Sequence, residues 1–266
     1  MPERSDVSRP RWSRRQILAA VAAASLASRI PAAHAAVPGL PILSYHRFDP
    51  EAAAPYTVSA KAFEAQLVWL GAHDFGVIRL HDAVAALQTP GGSNARQAAI
   101  TVDDGHRSAY TVLFPLIRKH RVPVTLFIYP SAISNASYAI TWEQLHEMQA
   151  SGFVDVQSHT YWHPNFHIER KRRSPADYRA FVDDQLRRSR QVLEARLKTP
   201  VDLLAWPFGI VDSELEAAAQ QAGYAAAFGY PGGVAPPGGD RFAVPRIAVS
   251  DADRGERFAV LLGDKR

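Results

Sequence analysis

The 266 residues include no cysteine, which excludes disulfides and thiolate metal sites and leaves His, Asp and Glu as the only strong ligands. The formal charge of +4 suggests a polyanion partner only while the first 35 residues are counted. There Arg14 and Arg15 precede an apolar stretch from Leu18 to Leu26, and Ala33-His34-Ala35 offers a small-residue cleavage site. This pattern predicts a twin-arginine-type export signal over 1–35, because the apolar stretch is shorter than the ~20 residues that span a bilayer. With its six arginines and two acids set aside, the 30 basic and 26 acidic side chains become 24 of each. No nucleic-acid partner and no stable membrane span are therefore expected, and the location is periplasmic or secreted. The remaining 36–266 are enough for one domain, and a monomer is expected.

The predicted elements then alternate. Residues 41–46 form a short apolar strand ending in His46. Phe63, Leu67 and Leu70 recur at helical spacing over 59–71, with Ser59 as N-cap. A strand over 76–80 and a helix over 81–87 follow, then a Pro/Gly loop at 90–94. Further strands are predicted at 98–102, 123–129, 153–157, 201–206, 224–228 and 242–249. Helices are predicted at 108–120, 141–150 (N-cap Thr141), 175–197 and 213–222, with a Gly/Pro loop at 229–240. Seven or eight strands separated by helices predict a parallel α/β fold, a closed (β/α)7–8 barrel in a single domain. Chemistry in such barrels sits at the C-terminal strand ends.

Two of those ends carry metal-competent side chains. The strand at 98–102 runs into Asp103-Asp104-Gly105, and the strand at 153–157 runs into Ser158-His159-Thr160-Tyr161-Trp162-His163. One carboxylate and two imidazoles make a three-ligand set for a catalytic divalent metal such as Zn2+, with positions open for water and substrate. The other carboxylate is then free to act as a base.

Thr101-Val102-Asp103-Asp104-Gly105, His159-x-x-x-His163 and Trp206-Pro207-Phe208-Gly209 resemble, in order and spacing, the signature of the polysaccharide deacetylase family, carbohydrate esterase family four. The resemblance implies a distorted (β/α) barrel that removes acetyl groups from a polysaccharide substrate, here an N-acetylhexosamine polymer. It implies Asp103 as catalytic base and Asp104, His159 and His163 as ligands of a divalent metal, Zn2+ ahead of Co2+, Ni2+ or Fe2+. It also implies the backbone N–H of Phe208, after Pro207, as an oxyanion donor. Two departures stand out. Ala205 occupies the place of an arginine that orients the base in many members, and Arg246 is a candidate replacement. The terminal Leu-x-His motif is missing, but the first strand ends in His46. That arrangement resembles the circularly permuted poly-N-acetylglucosamine deacetylases and implies His46 as general acid.

Blander alternatives accompany each residue. The aspartates could cap a helix, and His159 and His163 could be ordinary loop residues. His46 could be a packing residue, and His167 could compete as a ligand. Residues 169–173 are expected as a solvated charged loop, with a rim contact to a polar polymer as the sharper option. Tyr161, Trp162, Phe166 and Trp206 could form a sugar-stacking wall or core. A non-catalytic glycan-binding module and a metal amidase of the same fold are the alternative functions.

Overall fold

The structure, a computed structural model, describes residues 39–51, 54–89, 96–229 and 232–264. The signal expected over 1–35 and the loop expected at 90–94 lie outside the described residues. Strands buried on both faces read as unbroken apolar runs, and this chain supplies several. In order they are β1 (Ile42–Tyr45), β2 (Arg47–Asp49), β3 (Thr57–Ser59), β4 (Gly76–Ile78), β5 (Gln97–Asp103), β6 (Val124–Ile128), β7 (Val154–Ser158), β8 (Leu203–Ala205), β9 (Ala226–Gly229), β10 (Val244–Pro245) and β11 (Ile247–Ala248). The main sheet is parallel, in the order β10-β9-β8-β7-β6-β5-β1-β11, with β4 paired to the first half of β5. β2 and β3 form a separate parallel pair.

β10 and β11 lie at opposite ends of this path, yet only Arg246 separates them in sequence. The sheet therefore has to curl until its two edges almost meet, which gives the nearly closed eight-stranded barrel expected from the alternation. The strand predicted over 242–249 is thus two short strands, broken where Arg246 crosses the seam.

Helices pack outside the barrel and are capped as their sequences suggest. Ser59 and Ser174 accept from backbone N–H groups three residues on, and Thr141 with Gln144 forms a reciprocal capping box. The helix expected over 108–120 begins instead as a π-helical turn, Ala109–Leu113, and continues as Phe114–His120. Pro115 has no N–H for the carbonyl of Thr111, so the regular ladder cannot run through it. The charged run 169–173 is exposed at Arg170, Lys171 and Arg172 as expected, but it is not a loop. Most of it belongs to the helix Phe166–Arg172, and Glu169 is buried between Arg172 and Arg173. No element was expected at Glu256–Leu261, a short helix near the C-terminus.

The core has two parts. The larger one fills the space between strands and helices. The smaller brings Ile42, Ala99, Phe127, Leu203 and Phe228 together with Leu80 of the helix Leu80–Gln88. Period-two alternation puts Ala99, Thr101 and Asp103 on the same face of β5 as this inner cluster. The interior thus changes along one strand from alanine to a carboxylate.

Candidate active site

Register brings the polar strand ends together. Asp103 lies opposite Phe127 on β6, Ile128 opposite Ser158 on β7, and Ser158 opposite Leu204 on β8. Just beyond these ends the backbone turns sharply. Asp104, Thr160, His163 and Phe208 all have positive φ, between +56° and +74°, although none is glycine. Such conformations persist where the surroundings hold them, and here four fall in the turns carrying the motif residues. Gly105 (φ +69°) occupies the left-handed region that glycine adopts without strain, and a Cβ there would also press on Ile128 Cδ1 at 2.9 Å.

Asp104, His159 and His163 converge, with one ligand atom from each lying within 4.8 Å of the others. His163 Nε2 is 3.5 Å and His159 Nε2 is 3.7 Å from Asp104 Oδ1. Tetrahedral ligands bound at ~2.1 Å would stand about 3.4 Å apart, so the donors fit one divalent ion with little movement. The ring of His159 is fixed from behind, where Nδ1 lies 2.7 Å from the Ala205 carbonyl. That bond puts the proton on Nδ1 and turns the Nε2 lone pair toward Asp104. Burial pushes both imidazoles below their ordinary value, His163 to about 4 with help from the neighbouring His159. Both are therefore neutral at pH 7, the form in which imidazole binds a metal.

Asp103 is 1% exposed and is held differently. Arg246 Nη1 donates to its Oδ1 and Nη2 to its Oδ2, both at 2.7 Å, a two-pronged charge-assisted contact. Nη1 also donates to Thr101 Oγ1, which donates to the Leu43 carbonyl. The guanidinium lies over the Phe127 ring at 5.3 Å. Burial pushes the carboxyl up, but Arg246, and after it His159 and His46, pull harder, leaving it well below the usual carboxylate range. Asp103 Oδ2 is 3.9 Å from His159 Nε2, so the carboxylate borders the ligand group without joining it.

A cavity of about 500 Å³ opens over these groups, lined by Asp103, Asp104, His159, His163, His46 and Phe208 among others. His46 is thus on the same cavity wall system as the aspartates despite being 57 positions before Asp103. Phe208 is 60% exposed, with its ring 4.7 Å from that of His163. Trp206 reaches the lining but is otherwise buried, its indole N–H bonded to the Phe242 carbonyl, and Pro207 is buried beside it. Tyr161 is not part of the lining; Arg188 covers its ring at 3.9 Å. His167 is exposed and outside the ligand group. Sequence reasoning missed Arg47 and Tyr56, which also line the cavity, and Tyr129, whose ring is 5.4 Å from that of His163. Position next to His46 was the available signal for Arg47.

A sequence model of the family "Polysaccharide deacetylase" matches residues 91–227. The chain belongs to the polysaccharide deacetylase family. The match contains Asp103, Asp104, His159, His163 and Phe208, whereas His46 and Arg246 fall outside it. Among curated relatives, the poly-beta-1,6-N-acetyl-D-glucosamine N-deacetylase of Staphylococcus aureus strain MRSA252 is 24% identical over 200 residues, covering 74% of this chain and 69% of its own. The enzyme of the same name from Staphylococcus epidermidis strain ATCC 35984 matches at the same identity and coverage. IcaB from Ammonifex degensii shares the deacetylase's fold with a TM-score of 0.74 at 24% identity, covering 86% of this chain and 99% of that one. The Streptococcus pyogenes deacetylase PplD, solved with acetate, has a TM-score of 0.74 at 19% identity, covering 84% and 98%. The deacetylase is accordingly a hydrolase on a barrel of this type. No helix among its described residues is long and apolar enough to cross a membrane.

Proposed function

We propose that the chain is a metal-dependent N-deacetylase of poly-N-acetylhexosamine, exported to the periplasm by a twin-arginine-type signal over 1–35 ahead of a catalytic domain over 36–266. The observation that carries this reading is the side-by-side arrangement of a convergent Asp104/His159/His163 group and a separately anchored Asp103, in one cavity with His46. The relatives' names, which specify N-deacetylation of an N-acetylglucosamine polymer, support the substrate class.

Asp104, His159 and His163 would hold a divalent ion, zinc ahead of cobalt, nickel or iron, which would supply Lewis acidity for the acetyl carbonyl and acidify the attacking water enough for a weakly basic carboxylate to serve as base. Asp103 takes the proton of the attacking water on Oδ2, the oxygen nearer His159. Arg246 keeps that carboxylate ionised and fixes its plane, so the lone pair points into the cavity without reorganisation. The backbone N–H of Phe208, presented by its left-handed turn, stabilises the oxygen on which negative charge develops. His46 donates a proton to the departing amine, which leaves as the free hexosamine.

A non-catalytic glycan-binding module was suggested by Ala205 and by the absent terminal histidine. Arg246 supplies a guanidinium to Asp103 from the barrel seam, and His46 supplies an imidazole in the same cavity, so neither departure favours that alternative. The test is acetate release from fully acetylated N-acetylglucosamine oligomers by the zinc-loaded protein. Asp103→Asn should lower kcat by about 10²–10⁴ while metal stays bound. Full turnover in that variant would remove Asp103 from the role of base.

A further inference from the structure

The proposed chemistry leaves unused a cation on the cavity wall. Arg47 directly follows His46, is exposed, lines the cavity and makes no ion pair among the described residues. Tyr56 stands beside it. The Arg47 N–H donates to the Tyr56 carbonyl at 3.0 Å, and the Tyr56 ring lies 5.4 Å from that of His46. Tyr56 is 75% exposed and has φ +60°, so a large ring is held out toward solvent by a backbone conformation that tyrosine seldom adopts. Arg47 belongs to β2, and Tyr56 immediately precedes β3, so the small sheet outside the barrel brings both to the cavity. Nothing in the folding of the main sheet calls for an exposed phenol and a guanidinium without an ion pair among the described residues at this point.

We propose that Arg47 and Tyr56 form the subsite for the sugar next to the unit being deacetylated, and that they select an acetylated neighbour over one already bearing a free amine. This rests on the hexosamine-polymer reading above. A pyranose ring has an apolar face suited to the exposed Tyr56 ring, and its 2-acetamido carbonyl is an acceptor for the Arg47 guanidinium. A hexosamine amine, its basicity lowered by the neighbouring ring oxygens, is chiefly an ammonium ion below neutral pH. It then offers no acceptor and sets a like charge against Arg47, enough at a few ångströms near a protein surface for about tenfold discrimination or more. The cavity carboxylates provide little compensation, because Asp103 is forked by Arg246 and Asp104 belongs to the ligand group. The product would then carry amines spaced apart along the polymer rather than in runs.

The experiment compares two N-acetylglucosamine pentasaccharides, one fully acetylated and one with a free amine flanking the acetylated central unit. Acetate release by the zinc-loaded chain is measured with each, and affinity for each is measured by calorimetry with the Asp103→Asn variant. The fully acetylated oligomer should be favoured by about tenfold or more at pH 6 in both readouts, and the preference should shrink as pH rises and the amine loses its charge. Arg47→Gln should bring it to less than about threefold, Arg47→Glu should reverse it, and Arg47→Lys should keep much of it. Tyr56→Ala should raise KM for oligosaccharides more than it lowers kcat. Equal treatment of the two substrates by the unmodified chain, or a preference that survives Arg47→Glu, would overturn the proposal while leaving deacetylation intact. Failure to release acetate from any acetylated oligomer would instead overturn the functional reading, and this proposal with it.

Discussion

Arg246 joins the two ends of the main sheet and, from that same position, grips both carboxylate oxygens of Asp103 at 2.7 Å. Closure of the barrel and orientation of the proposed base are therefore one interaction. The arginine is 0% exposed, so its charge is compensated chiefly by a residue of the site itself. Catalytic geometry and fold stability should respond together when it is changed.

Arg246→Ala leaves the Asp103 carboxylate buried without its ion-pair partner. Breaking such a pair costs about 3–5 kcal/mol, and urea unfolding of the variant should show a loss of that order. Arg246→Lys keeps the charge but loses the fork, because an ammonium cannot hold both oxygens in one plane. It should retain most of the stability and still lose about tenfold to a hundredfold in kcat, with metal content unchanged. Unchanged kcat in Arg246→Lys would mean that the guanidinium acts through its charge alone.

The ligand assignment separates residues that sequence alone left in competition. Asp104→Ala, His159→Ala and His163→Ala each remove one donor of the convergent group and should each lower zinc affinity at least about a hundredfold. His167→Ala should leave it unchanged, since that side chain is exposed and outside the group. Elemental analysis after dialysis against a chelator of known affinity distinguishes the cases. Metal retained by His159→Ala would break the assignment.

What the sequence made legible follows from how each feature is encoded. Asp103, Asp104, His159 and His163 sit directly at the ends of apolar runs, so strand periodicity alone put them on one rim. Arg246 was reachable only as a guess, because its contact spans 143 positions and depends on how the sheet closes. The two-residue strands on either side of it are too short to show a period, so the seam read as one continuous strand. Residues 169–173 are exposed at Arg170, Lys171 and Arg172, as their charge suggests, but they lie on a helix and Glu169 departs from the pattern. Glu169 is buried and paired with two arginines, and pairing of that kind leaves no mark on hydropathy. Arg47 and Tyr56 were missed because they come from a two-strand pair whose segments are three residues each.

The depressed imidazoles make the stability of the metal-free protein depend on pH. An unfolded histidine takes up its proton near pH 6.5, whereas folded His163 resists until about 4 and buried His159 is shifted the same way. Between those values the unfolded chain binds more protons, so stability rises with pH. The contribution is complete above about pH 6.5 and is lost as pH falls toward 4. Asp103 adds a loss of the same sign below the ordinary carboxylate pKa of about 3.9. The urea midpoint of the metal-free chain should therefore fall between pH 7 and pH 4.5, and less steeply in His163→Gln. Parallel curves for the two proteins would exclude His163 as a source of the dependence.

A buried hydroxyl network seats the turn that carries both histidines of the proposed ligand group. Ser158 Oγ accepts from the Thr160 N–H at 3.2 Å, just where φ turns positive, and lies 2.8 Å from both Ser189 Oγ and the Tyr224 hydroxyl. The Tyr224 hydroxyl is also 3.0 Å from the Leu186 carbonyl. Tyr224→Phe removes one member of the network but leaves Ser158 its serine partner and its hold on Thr160. Unfolding free energy should fall by about 1 kcal/mol, with zinc affinity within about threefold of the parent. Ser158→Ala removes the acceptor itself and strands a buried N–H at the start of the ligand turn. That should cost about 1–3 kcal/mol and weaken zinc binding roughly tenfold, in the range of supporting contacts around metal ligands. Chemical denaturation and zinc titration of the two variants side by side give the comparison. If Tyr224→Phe proves as damaging as Ser158→Ala in both measurements, the turn is held by the tyrosine and not by the serine at the end of β7.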